Sequence, residues 1–233
     1  STAVVDPTSG AQTEMNERGP EVTEAEVSLF CDKLAYLAKG ADICVFAGSL
    51  PPGVDEKVYA NLIRELAGLG VMTVVDADGD PMRFSLRAGP DIVSPNVAEA
   101  ESLVGHEFRD EQDEISALRE LCELGARGAI VTHAEGCHAL VGRDHERRLY
   151  RVRTEPLDPV SRIGAGDAFL AGYLAARYVQ RDEEDCLRFA VACGAESTRH
   201  VGAGVVDPRE AEQIESGVVV EEIDEPARVD AQA

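Results

Sequence analysis

"ICVFAGSLPPGVDEKVYANLIRELAGLGVMTVVD", residues 43–76, contains two short apolar runs with a helical stripe between them. Ile43 to Ala47 and Val71 to Val75 are apolar almost throughout, and they stop on Gly48-Ser49 and on Asp76. Between them Val58, Leu62, Ile63, Leu66 and Leu69 recur at the spacing of one helix face, and Asp55 stands where a cap belongs. Strand, helix, strand, with near-continuous apolar strands, predicts a βαβ unit whose parallel strands lie buried between helices.

The same alternation extends in both directions. Upstream, Thr23-Glu24-Ala25-Glu26 is a capping box before Val27, Phe30, Cys31, Leu34 and Leu37 at helical spacing. Downstream, a strand begins at Asp91 to Val93 and ends at Ser94-Pro95-Asn96, with a short helix from Val97. Ile115, Leu118, Leu121 and Cys122 mark a helix that Gly125 closes, and Ala129 to Thr132 is a further strand. Leu140 and Leu149 fit a hairpin, and a last stretch lies near Val218 to Glu222. The class is α/β, with a parallel sheet covered on both faces. Such sheets bind ligands beyond the carboxyl ends of their strands, where Gly48-Ser49, Asp76, Asn96 and Thr132 collect.

"SRIGAGDAFLAGYLAARYV", Ser161 to Val179, adds a helix start to that crevice. From Ala168 the run is apolar on every face, so the helix is buried. Gly164 and Gly166 permit a tight turn with bare backbone ahead of it. The first N–H groups of a helix lack partners and, with the dipole, attract an anion. Asp167 sits at the mouth of that anion site. Two readings stay open: a helix cap, or a carboxylate placed to take a proton from a group attacking a phosphate.

At 233 residues the chain can bury one substantial core. It carries 44 acidic against 22 basic residues, a formal charge of −22, which argues against nucleic acid and anionic membrane as partners. For a phosphate ligand, local N–H groups, arginines and Mg²⁺ must reverse that field. Nothing resembles a signal peptide or an apolar run of ~18 residues, so a soluble, cytoplasmic protein is expected. The six cysteines form no C-x-x-C pair and read as buried free thiols. His133 and His138 flank a strand turn, but no carboxylate or cysteine stands at ligand spacing, so no zinc site is expected.

Five segments together resemble a known family: "TEMNERGP" at Thr13 to Pro20, "GSLPPG" at Gly48 to Gly53, "SPNVAE" at Ser94 to Glu99, "GAGDAFLAG" at Gly164 to Gly172 and "AVACGAEST" at Ala190 to Thr198. In this order they resemble the ribokinase-like sugar kinases of the phosphofructokinase B branch, from about Thr13 to Ile223. The first two look most like its hexose-phosphate kinases, the 1-phosphofructokinases and tagatose-6-phosphate kinases. The resemblance implies a three-layer α/β/α sandwich with a mostly parallel central sheet and a β-lid largely absent. Residues 1–20 would be a remnant of a lid strand and its connection, residues 21–224 the kinase core and residues 225–233 a polar tail. An upstream part, with most of the lid and a substrate-binding aspartate, is expected to be missing before Ser1, and a homodimer is expected of the full-length protein.

Carried over by motif, Asp167 would be the catalytic base, with Gly164, Ala165 and Gly166 supplying the N–H donors of an anion hole. Asn96 and Glu99 match an N-x-x-E motif that governs Mg²⁺ and nucleotide phosphates. Thr132 and Gly136 would belong to an ATP loop, and Gly194, Ala195 and Thr198 would lie near the adenine, although close helix packing also accounts for the small residues. Gly48, Ser49 and Asn16 would approach the sugar phosphate. Arg162 would do so too, or would restore positive charge at the phosphates, and a solvated loop arginine is the alternative reading. ATP and Mg²⁺ are thus the implied cofactors, and a sugar phosphate, fructose 1-phosphate first, the implied substrate. Departures from the family pattern touch the nucleotide: Ser94 stands where lysine is frequent, and Thr132-His133-Ala134 replaces Ser/Thr-x-Gly. Two other classes were weighed. A non-catalytic sugar-phosphate or nucleotide-binding module fits Ser94 and the missing lid; a dinucleotide-binding oxidoreductase fails because the Gly164 turn lacks G-x-G-x-x-G spacing.

Overall fold

The computed structural model describes residues 2–5, 12–15, 17–143, 146–155 and 157–224. β1 (Thr2–Val5) and β2 (Gln12–Met15) pair antiparallel as a small sheet of their own. The main sheet holds seven strands in chain order: β3 (Ile43–Ala47), β4 (Met72–Asp76), β5 (Ile92–Val93), β6 (Ala129–His133), β7 (Gly136–Arg143), β8 (Glu146–Arg153) and β9 (Val219–Glu222). Among the described residues eight helices accompany them: α1 (Glu24–Leu37), α2 (Val58–Ala67), α3 (Gly79–Leu86), α4 (Val97–Val104), α5 (Glu111–Glu123), α6 (Ala165–Tyr178), α7 (Glu183–Ser197) and α8 (Pro208–Glu215).

The strands from β3 to β6 run parallel, joined through α2, α3 and the α4–α5 pair. From β6 to β9 every pairing is antiparallel, so the sheet is mixed where a mostly parallel one was expected. For β6–β7 and β7–β8 the short connection is the reason, whereas β8 and β9 are joined through α6, α7 and α8. His133 pairs with Gly136 and Arg143 with Glu146, which leaves two residues at each turn, and a parallel return needs a long crossover.

Side chains alternate through the sheet into two cores, giving the three-layer α/β/α arrangement. Val75, Val93, Val131, Leu140 and Leu149 face Leu62, Ile63 and Leu66 of α2 and Leu118 and Leu121 of α5. Val74, Ile92, Ile130, Ala139 and Val152 face Phe169, Leu170 and Tyr173 of α6 and Leu187, Ala190 and Val191 of α7. Gly172 lets α6 and α7 close on each other, because a Cβ there would meet Cys193 Sγ at 2.8 Å. The Thr23–Glu26 capping box starts α1 as its sequence spells out. Val27, Cys31 and Leu34 pack on the core, while Phe30 and Leu37 of the same expected stripe stay exposed. All six cysteines are free thiols. Among the described residues no helix is long and apolar enough to cross a membrane.

Candidate active site

The carboxyl ends of β3 to β6 stand side by side. Ala47 is in register with Asp76, and the Gly48 N–H donates to the Asp76 carbonyl at 2.8 Å. Gly48 turns away with φ 81°, a left-handed conformation suited to glycine, and Ser49 beyond it is exposed. Asn96 makes an isolated parallel bridge with Thr132, whose N–H donates to the Pro95 carbonyl at 3.0 Å.

Against these ends lies the start of α6. Gly164 caps it at φ 76°, and a Cβ there would meet Gly204 N at 2.5 Å. The loop behind Gly164 is tied down from α7. The buried Glu196 carboxylate accepts from the Asp207 N–H at 2.9 Å and pairs with His200. The three residues expected to donate at this turn differ in their partners. The Ala165 N–H already donates to the Arg162 carbonyl at 3.3 Å. The four-residue turn from Arg162 to Ala165 closes on that bond. Among the described residues the N–H groups of Gly164, Gly166 and Asp167 have no acceptor. The Asp167 carboxylate is exposed in the first turn, where the helix dipole is positive.

Asp167 and Glu99 both act on a third carboxylate. Burial, and then the charges of Glu99 and Asp167, push Asp76 up to about 6. Asp76 had been placed at a strand end by sequence but not among the site residues; a carboxylate ending an apolar strand was its signal. Asn96 and Glu99 form a capping box on α4. The Asn96 N–H donates to Glu99 Oε2 and the Glu99 N–H to Asn96 Oδ1, each at 3.0 Å. N-x-x-E therefore has a local task, and the Glu99 charge remains available beside it. The charges of Glu99 and Asp167 thus both reach the partly buried Asp76, which brings three carboxylates to this end of the sheet.

Next to the carboxylates opens a cleft of about 500 Å³. Asn96, Thr132 and Gly136 line one wall, and Ala165, Gly166, Gly194, Ala195 and Thr198 line the other. Gly166 precedes Asp167 in the chain and Asn96 is bonded to Glu99, so cleft and carboxylates adjoin. Two of these glycines also have packing duties. At Gly136, φ 148°, a Cβ would strike the Val152 carbonyl at 2.0 Å, and at Gly194 it would press on Phe169 Cβ at 3.2 Å. Arg162 lines this cleft rather than standing with Gly48 and Ser49, and its guanidinium has no partner among the described residues. Gly48 and Ser49 do not line this cleft; Gly48 is tied to the Asp76 carbonyl. Asn16 lies outside the described residues. Sequence reasoning missed His133 and the segment from β8 to α6, where Thr154, Leu157 and Pro159 cover the cleft. Its signal was a stretch with neither helical nor strand period joining a strand to the Gly164 turn.

Residues 1–210 match the pfkB family carbohydrate kinases. The chain belongs to the pfkB family. Its relatives include the 1-phosphofructokinase of Vibrio cholerae, 30% identical over 213 residues, which cover 91% of this chain and 66% of that one. The 1-phosphofructokinase of Borreliella burgdorferi is 30% identical over 185 residues, 79% of this chain and 59% of that one. A tagatose-6-phosphate kinase of Staphylococcus epidermidis is 25% identical over 226 residues, covering 92% and 69%. Among solved structures, phosphofructokinase-2 of Escherichia coli in complex with substrates and products superposes with a TM-score of 0.83 at 26% identity, over 92% of this chain and 69% of that one. This pfkB-family chain thus spans between 59% and 69% of the length of these relatives.

Proposed function

We propose that this pfkB-family chain transfers the γ-phosphoryl group of ATP to a hydroxyl of a hexose phosphate, with fructose 1-phosphate as acceptor and fructose 1,6-bisphosphate as product. The observation that carries the reading is the α6 start: an exposed Asp167 carboxylate beside N–H groups without acceptors. Phosphoryl transfer leaves a protein two main tasks, positioning and charge stabilisation. Asp167 accepts the proton of the attacking hydroxyl. The N–H groups of Gly164, Gly166 and Asp167 receive the charge on the transferred group, as preorganised donors do for any developing oxyanion. ATP occupies the cleft between Thr132 and Gly136 on one wall and Gly194, Ala195 and Thr198 on the other, with Arg162 supplying positive charge. Asp76, Glu99 and Asn96 hold Mg²⁺, which supplies electrostatic neutralisation of the phosphates when bound. The hexose phosphate stands beside Gly48 and Ser49, at the strand end tied to Asp76.

Relatives of both acceptor types match the chain, and the 1-phosphofructokinases do so at the higher identity, 30% against 25%. ADP release measured with MgATP and, in turn, fructose 1-phosphate, tagatose 6-phosphate and fructose 6-phosphate tests the acceptor. The expected order has fructose 1-phosphate first by kcat/KM. A higher value for either other sugar reassigns the acceptor, and nucleotide binding without ADP release for any sugar overturns the catalytic reading.

A further inference from the structure

His133 and His138 lie on one face of the β6–β7 hairpin, diagonal to each other, with ring centroids 5.3 Å apart. α5 brings two glutamates beneath them. Glu114 Oε2 lies 2.8 Å from His138 Nδ1, and Glu111 Oε1 lies 2.8 Å from His138 Nε2. His138 is 4% exposed. One ligand atom from each of Glu114, His133 and His138 lies within 4.8 Å of the other two.

We propose that Glu114, His133 and His138 form a binding site for a first-row transition-metal dication of the Zn²⁺ class, distinct from the oxygen donors of Asp76, Glu99 and Asn96.

Two imidazoles and one carboxylate are the donor set that zinc and its neighbours take, whereas Mg²⁺ takes oxygens. A second feature points the same way. A metal-bound histidine commonly gives its other ring nitrogen to a carboxylate, which fixes the ring and raises its basicity. Glu111 stands in that position on His138 Nε2, and it is gripped in turn by Arg151 and, at 3.3 Å, by Arg153. Binding needs small movements. The proton now between His138 Nδ1 and Glu114 leaves to solvent, the ion takes its place, and the half-buried His133 closes in. His133 Nδ1 gives up a long bond from the Glu135 N–H, now 3.3 Å. Sequence spacing could not find the site, because its carboxylate comes from a helix that precedes both histidines. His133 also lines the nucleotide cleft, so a bound ion would fasten that wall.

The protein, kept in excess Mg²⁺ to fill the oxygen donors, is titrated with Co²⁺ and read by its visible d–d absorption, then challenged with Zn²⁺. One equivalent is expected, with the intense band of a four- or five-coordinate ion, displaced by Zn²⁺. Glu114→Gln and His133→Ala should each weaken binding by about tenfold or more, and Glu111→Gln by roughly 10- to 100-fold, with metal-free melting recorded for each. No band, or the same affinity in both ligand variants, overturns the site. Zinc-edge X-ray absorption of the unaltered protein decides even if a variant fails to fold: two imidazoles at the metal support the site, and a shell of oxygens alone overturns it.

Discussion

Asp76 ends an otherwise buried strand, and its carboxyl is pushed up to about 6 by burial and by Glu99 and Asp167. The folded value lies above the ordinary 3.8, so the stability from its bound proton is complete below about pH 3.8 and is lost as pH rises through about 6. Asp76→Asn should therefore melt higher than the parent at neutral pH. Thermal melts at stepped pH should show the gap opening between about pH 4 and 7, to roughly 1–3 kcal/mol. An offset independent of pH would contradict the cause assigned to the shift. Glu99 separates two tasks of one side chain. Glu99→Gln keeps an oxygen for the Asn96 N–H and should hold the α4 cap, while Glu99→Ala should cost about 1 kcal/mol of stability. Kinetics should fall in both, because both lose the charge; full activity in Glu99→Gln would reduce the motif to a cap. Gly164, Gly166 and Asp167 were legible in sequence because their geometry is local. Asp76 was legible only as a polar strand end and His133 only as part of the Thr132-His133-Ala134 loop; their partners were not, because these come from residues distant along the chain.

The turn ahead of α6 is built from two sides. Gly164 holds φ 76°, and its missing side chain leaves room for Gly204 N, where a Cβ would lie at 2.5 Å. Gly164→Ala should cost about 2–4 kcal/mol by denaturant unfolding, from the left-handed backbone and the displaced loop together. A cost under about 0.5 kcal/mol would mean that the loop yields freely. Helices with a clear apolar stripe, α2 and α5, were readable from period alone. α3 was not, because Gly79 and Pro81 look like a turn, although proline is well placed in a first turn. α8 offered the same kind of start in Asp207-Pro208, but Ala211 and Ile214 alone are too few apolar residues for a stripe. The antiparallel half of the sheet was legible as a hairpin at Leu140 and Leu149. Its full extent was not, because Ala134-Glu135 lacks the Asn-Gly or Asp-Gly signature of a two-residue turn.

Across the whole molecule, 44 acidic residues against 22 basic ones repel one another in the folded state. Monovalent salt screens that repulsion, so the Tm should rise by several degrees between about 0.05 and 1 M NaCl. A flat or falling Tm would place the excess charge where folding does not concentrate it. The same field would oppose an anionic ligand, which makes the local devices decisive: free N–H groups at α6 and Arg162 in the cleft. The layered fold gathers them by aligning the carboxyl ends of β3 to β6 with one helix start. Asp167→Asn tests that arrangement most directly, by steady-state ADP release with MgATP and fructose 1-phosphate alongside ATP affinity and Tm. The expected result is a loss of roughly 10²- to 10⁴-fold in kcat with affinity and Tm preserved. Turnover within a few-fold of the parent would contradict the account.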